Sequence, residues 1–202
     1  MSGAIVWLLV AVGLSVVVVR RRSVAVGLVT VQALLLAVSV VHASVTSKGP
    51  AAAVLAIRAV ALGALLLLVV ARTREPRPVR AGIAPLVRCG LAVGFALALT
   101  WLVPTIGLES RNAERGALAL IAFGIVTAAT RRATLFQVLG IVLAENGLAL
   151  AALELPGGSS TAVELGVAFD LTLVALVAAV FHERIFAEFG AGDSARLRSL
   201  RD

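Results

Sequence analysis

Hydrophobic residues fill seven long runs of this chain, and polar residues gather in the short segments between them. At 1.5 Å per residue, a helix of about 20 residues is long enough to cross the hydrocarbon core of a bilayer. The runs lie near residues 3–19, 24–42, 51–71, 82–103, 115–130, 133–152 and 161–181. The pattern therefore predicts an all-α, polytopic membrane protein with about seven transmembrane helices.

The basic residues predict how these helices are oriented. Thirteen of the 18 lysine and arginine residues follow the first, third, fifth and seventh runs, whereas the opposite loops hold only Lys48, Arg111 and Arg115. Loops rich in lysine and arginine stay on the cytoplasmic side of the membrane. The N-terminus is therefore expected outside and the C-terminus in the cytoplasm. The arginines at 20–22 follow the first run rather than precede it, which is typical of a membrane anchor and not of a signal peptide.

Composition narrows the possible functions. The chain is 60% hydrophobic, well above the 45–50% or so of a soluble domain. The net charge is +7, but the basic residues lie mostly at helix ends and not in a stretch interleaved with aromatic residues. Nucleic-acid binding is therefore not expected. The single cysteine, Cys89, and the lack of a His/Cys cluster exclude an iron–sulfur or zinc site built from this chain alone. We therefore predict no catalytic, metal-binding or cofactor-binding residues in it.

Three charged residues lie deep inside the apolar runs, at a similar depth: Glu145, Asp170 and Arg58. A charge at the bilayer centre costs about 2.5–3.5 kcal/mol on insertion scales, and such residues commonly mark proton or ion paths. By helical rise, Glu145 lies about 10 Å and Asp170 about 13 Å below the outer surface, with Arg58 near the same depth. We therefore predict a proton relay of these three residues, with Arg58 approaching one of the two carboxylates. The alternative is a buried cluster that only fixes helix packing.

Small and polar neighbours are predicted to support the two carboxylates. The amides of Gln137 and Asn146 do not titrate, but they can orient a water molecule or a carboxyl group. Gly147 and Gly140 would leave room for such a water between helices, or would serve ordinary close packing. Gly166 lies one turn before Asp170 and would let a facing helix approach it.

Three other charged residues in or next to the apolar runs are expected at the membrane surfaces. Glu164, near the start of the seventh run, is a further predicted supporting polar residue; it faces away from Asp170 and is expected to be solvated at the interface. Glu154 is expected to be solvated too. Arg88 is expected to extend its side chain to the cytoplasmic surface.

Two segments of the last helices resemble a known family. Glu145-Asn146-Gly147, followed by Val163-Glu164-Leu165-Gly166-Val167-Ala168-Phe169-Asp170, resemble the paired signature of hydrogenase-4 component E. The last three helices of that family are similar to the K subunit of complex I and to the C subunit of multisubunit cation/proton antiporters, which place a carboxylate in each of two successive helices. The resemblance spans about residues 135–185. It departs from the K subunit in one respect, because Asp170 stands where that subunit has glutamate.

The resemblance implies a non-catalytic subunit in the membrane arm of a complex-I-like or group 4 hydrogenase, such as a formate hydrogenlyase-type complex. Its role there would be proton or sodium translocation, or the coupling of translocation to redox chemistry. Implied partners are antiporter-like and quinone-site-type membrane subunits and soluble redox subunits, with nickel–iron and iron–sulfur centres on those other subunits. The implied location is the plasma or inner membrane of a prokaryote.

The implied organisation is a four-helix bundle (residues 1–104), a three-helix module (105–181) and a cytoplasmic tail (182–202). Two other functions remain open at this point. One is a subunit of a cation/proton antiporter that has no redox arm. The other is a structural scaffold whose polar layer only packs helices.

Overall fold

The computed structural model describes residues 2–43, 49–73, 83–105, 107–108, 110–155, 174–176, 178–184 and 186. Six α-helices are defined in this part of the chain: α1 Gly3–Val18, α2 Arg22–Ala43, α3 Gly49–Thr73, α4 Pro85–Leu102, α5 Arg111–Thr130 and α6 Thr134–Leu153. Residues 174–176, 178–184 and 186 are helical as well. Within these ranges the structure contains no β-strand.

The helices coincide with the first six predicted membrane spans. Helices α2 to α6 are long and apolar enough to cross a membrane, and α1 is apolar but has 16 residues. The fifth helix begins at Arg111, four residues before its predicted start. Most of the seventh predicted span, residues 161–181, lies outside the described residues. The protein is an all-α, polytopic membrane protein, as its hydrophobic pattern predicts.

Helix α5 lies at the centre of the bundle. It packs most extensively against α6, to which the short segment 131–133 joins it, and it also contacts α1 and α4. Helix α2 packs against α3, α1 and α6. All six helices contribute to one hydrophobic core, which includes Leu9, Leu36, Leu62, Ala92, Leu120 and Leu143. The helices on either side of the predicted boundary at residue 104 therefore share a single core.

Glycines bring the backbones of α5 and α6 into direct contact. A Cβ atom added to Gly140 would lie 2.6 Å from the carbonyl oxygen of Gly124, and one added to Gly147 would lie 2.8 Å from the carbonyl oxygen of Ala117. Small residues allow this close approach, which is a main source of helix association inside a membrane. The α5 backbone thus occupies the space beside Gly140 and Gly147.

Replacing Gly140 with alanine should destabilise this contact. The added methyl group meets backbone atoms of α5 that no side-chain rotation can move away, and overpacking of this kind costs about 1–3 kcal/mol. Gly94→Ala is the matched control, because a Cβ atom there meets nothing within 4 Å. Both changes gain the same helix propensity, so a lower thermal unfolding midpoint for Gly140→Ala than for Gly94→Ala in mild detergent isolates the contact. Equal midpoints would contradict it.

The orientation of the bundle is a separate prediction. A reporter fused after Asp202 should be active on the cytoplasmic side, because most basic residues lie at the helix ends assigned to that side. Activity on the outer side would show that the helix count or the orientation is wrong.

Candidate functional site

A buried ion pair joins α3 to α6. The Nη1 atom of Arg58 lies 2.7 Å from Oε1 of Glu145, and the two side chains are only 4% and 11% exposed. Both residues lie within helices that can span the membrane. The predicted approach of Arg58 to a carboxylate at its own depth is therefore confirmed for Glu145. Asp170, the other predicted carboxylate, lies outside the described residues.

Two amides continue this ion pair across the bundle. Nη2 of Arg58 donates a hydrogen bond to Oδ1 of Asn146 at 3.3 Å, and Nδ2 of Asn146 donates to Oε1 of Gln32 at 3.1 Å. Nε2 of Gln32 then donates to the main-chain carbonyl of Leu9 at 2.9 Å. The chain of contacts runs through α3, α6, α2 and α1 in turn. Gln32 and Asn146 are buried, so this polar layer lies inside the bundle and not on its surface.

The order Glu145-Asn146-Gly147 explains how one turn of α6 reaches three neighbouring helices. Successive residues of an α-helix point about 100° apart around its axis. Glu145 contacts α3 through Arg58, Asn146 contacts α2 through Gln32, and Gly147 lies against the backbone of α5. The motif therefore combines a charge, an amide and a close helix contact at one level of the bundle.

A mainly apolar cleft borders this layer between α2 and α3. Arg58 and Thr30 are the polar residues of its lining, and Leu62, Leu66 and Val142 are among the apolar ones. The Thr30 hydroxyl donates to the Val26 carbonyl of its own helix at 2.9 Å. Among the described residues that line the cleft, Arg58 is the charged one, and its side chain is only 4% exposed.

The charges of the site favour a proton-dependent arrangement. An arginine keeps its proton in proteins, whereas a glutamate can hold or release one. With Glu145 ionised, the Arg58 and Glu145 charges balance, and with Glu145 protonated, this pair of residues carries a net positive charge. The position of Arg58 and the proton occupancy of Glu145 must therefore depend on each other.

The structure places Gln137 away from this layer. Its Nε2 atom donates to the main-chain carbonyl of Arg131 at 3.3 Å. Gln137 precedes Glu145 by eight residues on α6, which is about 12 Å along the helix axis. It holds the segment between α5 and α6. Glu164 and Gly166, the other predicted supporting residues, lie outside the described part of the chain.

Two expectations of surface exposure are wrong. Arg88 is fully buried, because the end of α1 covers it and its guanidinium donates to the carbonyls of Val17 and Ile83. Glu154 is also buried. It lies where the chain turns at the end of α6 and is only 5% exposed, so it is not solvated as expected.

Gln32 is the site residue that sequence reasoning missed. It is the one amide within the apolar second run, and this was the available signal. The helical phase that turns it toward Asn146 depends on how α2 packs against α6, which a single sequence does not specify.

The fold and site define a polytopic α-helical membrane protein with a buried ion pair and a polar layer across its bundle. The chain is similar to a protein of Mycobacterium tuberculosis named Uncharacterized protein Rv0085, with 34% identity over 158 residues, covering 74% of this chain and 70% of the relative. It belongs to the family of that mycobacterial protein. No protein-family model matches the chain, and no solved structure matches it.

Proposed function

We propose that this chain is an ion-translocating subunit in the membrane arm of a complex-I-like or group 4 hydrogenase. In this proposal Glu145 takes up and releases a proton, and Arg58 stabilises its ionised form. The observation that carries the proposal is the 2.7 Å ion pair between Arg58 and Glu145 inside an apolar bundle. The resemblance of Glu145-Asn146-Gly147 to hydrogenase-4 component E supports the same role.

The energetic cost of the pair supports a functional reason for it. Burying two charges is repaid only in part by their attraction, and an apolar pair of similar volume is often as stable or more stable. Interhelical packing alone does not need a titratable group. A carboxylate beside a cation, by contrast, can change its proton occupancy whenever the distance to that cation changes.

A relay also needs hydrogen bonds that orient its charged groups, and the two amides supply them. Asn146 accepts from Arg58 and donates to Gln32, so Arg58 has an amide oxygen within reach on the same helix as Glu145. Arg58 can thus shift toward Asn146 when Glu145 is neutral without losing all of its hydrogen bonds. Asp170 would be the second carboxylate, as the resemblance implies.

Redox chemistry belongs to other subunits in this proposal. The expected partners are antiporter-like subunits, a quinone-site-type membrane subunit and soluble subunits with nickel–iron and iron–sulfur centres. An antiporter complex without a redox arm would use the same three-helix module.

A structural scaffold is the second candidate function. The Arg58–Glu145 ion pair and the hydrogen bonds of Asn146 and Gln32 favour it, because together they link four helices. These contacts would fix the rotation of each of those helices. A scaffold needs these contacts but needs no proton exchange.

Purifying the protein from its native membrane in mild detergent tests the proposed assembly. Mass spectrometry of the co-purifying chains should identify antiporter-like subunits together with redox subunits. Antiporter-like subunits alone would favour the antiporter complex. Recovery of neither class would contradict membership of a membrane arm.

A further inference from the structure

A second buried polar cluster lies where α1 ends and where α5 connects to α6. Nη1 of Arg88 donates to the main-chain carbonyl of Val17 at 3.3 Å, and Nη2 of Arg131 donates to the same oxygen at 3.0 Å. Arg131 also donates to the carbonyl of Val19. The two guanidinium groups are therefore neighbours, although both carry a positive charge, and both side chains are more than nine-tenths buried.

The cluster has more positive than negative charge. Arg20 directly follows Val19, is exposed at the surface, and lies close enough to act electrostatically on both buried arginines. In the part of the chain that the structure describes, no carboxylate forms an ion pair with Arg88 or Arg131. The carbonyls at the end of α1 supply a partial charge of only about −0.5. Within the described residues, the positive charges of Arg88 and Arg131 are thus balanced only in part.

Unused hydrogen-bond donors point to the same conclusion. Nε of Arg88, and Nε and Nη1 of Arg131, are buried without a hydrogen-bond partner. The nearby starts of α4 and α6 have no side-chain cap, so their positive dipole ends add to the local potential. The ring of Phe136 lies 4.1 Å from Arg131 Cζ and covers one face of its guanidinium. The N–H groups along the edge of the Arg131 guanidinium plane remain able to donate hydrogen bonds.

Arg131 keeps its charge under physiological conditions. Burial, and after it the charges of Arg88 and Arg20, lower the pKa of Arg131 to about 10. The group is consequently still a cation at neutral pH, and it is destabilised by its surroundings unless an anion joins it.

We propose that Arg88, Arg131 and Arg20 form a binding site for a phosphate group at the cytoplasmic end of the bundle. Guanidinium groups match phosphate oxygens with paired, charge-assisted hydrogen bonds. The phosphate belongs either to the headgroup of an anionic phospholipid or to a free phosphate ion, and basic sites between helices on this side of a membrane favour such headgroups. Arg20 lies at the surface, where the anion would arrive first.

Thermal unfolding of the chain in micelles of a maltoside detergent, which carries no phosphate group, tests the site and separates the two sources. These micelles are compared with the same micelles containing phosphatidylglycerol, and inorganic phosphate is added to the first kind against chloride at equal ionic strength. A higher midpoint with phosphatidylglycerol supports the lipid source. A higher midpoint with inorganic phosphate supports the free ion. An unchanged midpoint in both arms overturns the proposal without any variant.

Arg131→Gln and Arg132→Gln identify the residues involved. Each removes one positive charge from the same connection, but Arg132 is exposed whereas Arg131 is buried in the cluster. Arg131→Gln should weaken the binding of phosphatidylglycerol or phosphate about tenfold, and Arg132→Gln should leave it nearly unchanged. Arg131→Lys replaces Arg131→Gln in this comparison if Arg131→Gln does not fold. It keeps the positive charge but loses the paired N–H donors of the guanidinium. Equal weakening in Arg131→Gln and Arg132→Gln would show general surface attraction and would overturn the site.

Discussion

Replacing Arg58 with glutamine should destabilise the folded chain more than any other single change at the polar layer. The substitution removes the guanidinium that pairs with the Glu145 carboxylate inside an apolar bundle, and breaking a buried ion pair from one side typically costs about 3–5 kcal/mol. The measurement is the thermal or denaturant unfolding midpoint of the purified chain in mild detergent. Arg58→Gln should lower it by a large margin.

Arg72→Gln is the matched control for this prediction. Arg72 forms an ion pair of 3.5 Å with Glu183, and the two side chains are 63% and 40% exposed. Exposed pairs contribute below about 1 kcal/mol, so Arg72→Gln should change the midpoint little. Arg58→Gln combined with Glu145→Gln should recover part of the stability lost in Arg58→Gln alone. A response of Arg58→Gln no larger than that of Arg72→Gln would contradict a tight buried pair.

Replacing Glu145 with glutamine should stop proton transfer while leaving the chain assembled. Glutamine has nearly the same size as glutamate and can still accept from Arg58, but it does not titrate. Arg58 then keeps its charge without a carboxylate, which lowers stability, but it retains acceptors on Asn146 and on the new glutamine. The amount of folded, assembled protein should therefore fall less than ion translocation does. Glu145→Ala should lower both, because it also leaves Arg58 buried without its partner. Glu183→Gln is the control carboxylate, since it lies outside the polar layer.

The sequence predicts much of the fold because membrane insertion imposes a simple rule. Each apolar run of about 20 residues must satisfy its backbone hydrogen bonds within one helix. Helices α1 to α4 and α6 therefore begin and end within a few residues of their predicted limits. Helix α5 starts earlier than predicted because its first turn, from Arg111, is polar and carries no hydrophobic signal.

The centre of the site was predictable from the cost of burying charge. Arg58 and Glu145 interrupt apolar runs at similar depths, and a buried charge needs a partner. Their contact at 2.7 Å follows from that need. The part played by Gln32 did not follow, because an amide inside a long apolar helix indicates burial without indicating which neighbour it faces.

The basic residues at the helix ends show where sequence reasoning was misled. Arg131 was counted only as a marker of orientation, and Arg88, inside the fourth apolar run, was expected to extend to the cytoplasmic surface. The structure buries both against the end of α1. Whether an arginine at a membrane surface extends to water or folds inward depends on which helix end covers it, and that is a property of the packed bundle.

Proton uptake into membrane vesicles, per unit of assembled complex, is the measurement that tests the relay most directly. Vesicles carrying the wild-type chain are compared with vesicles carrying Glu145→Gln, and the amount of complex is determined in the same preparations. The proposal predicts uptake near that of wild type for Glu183→Gln and a loss of about tenfold or more for Glu145→Gln. A loss of this size is expected because one positioned acid or base typically contributes at least about a hundredfold to a rate. Equal uptake by wild type and Glu145→Gln would contradict the relay and leave the ion pair with a structural role.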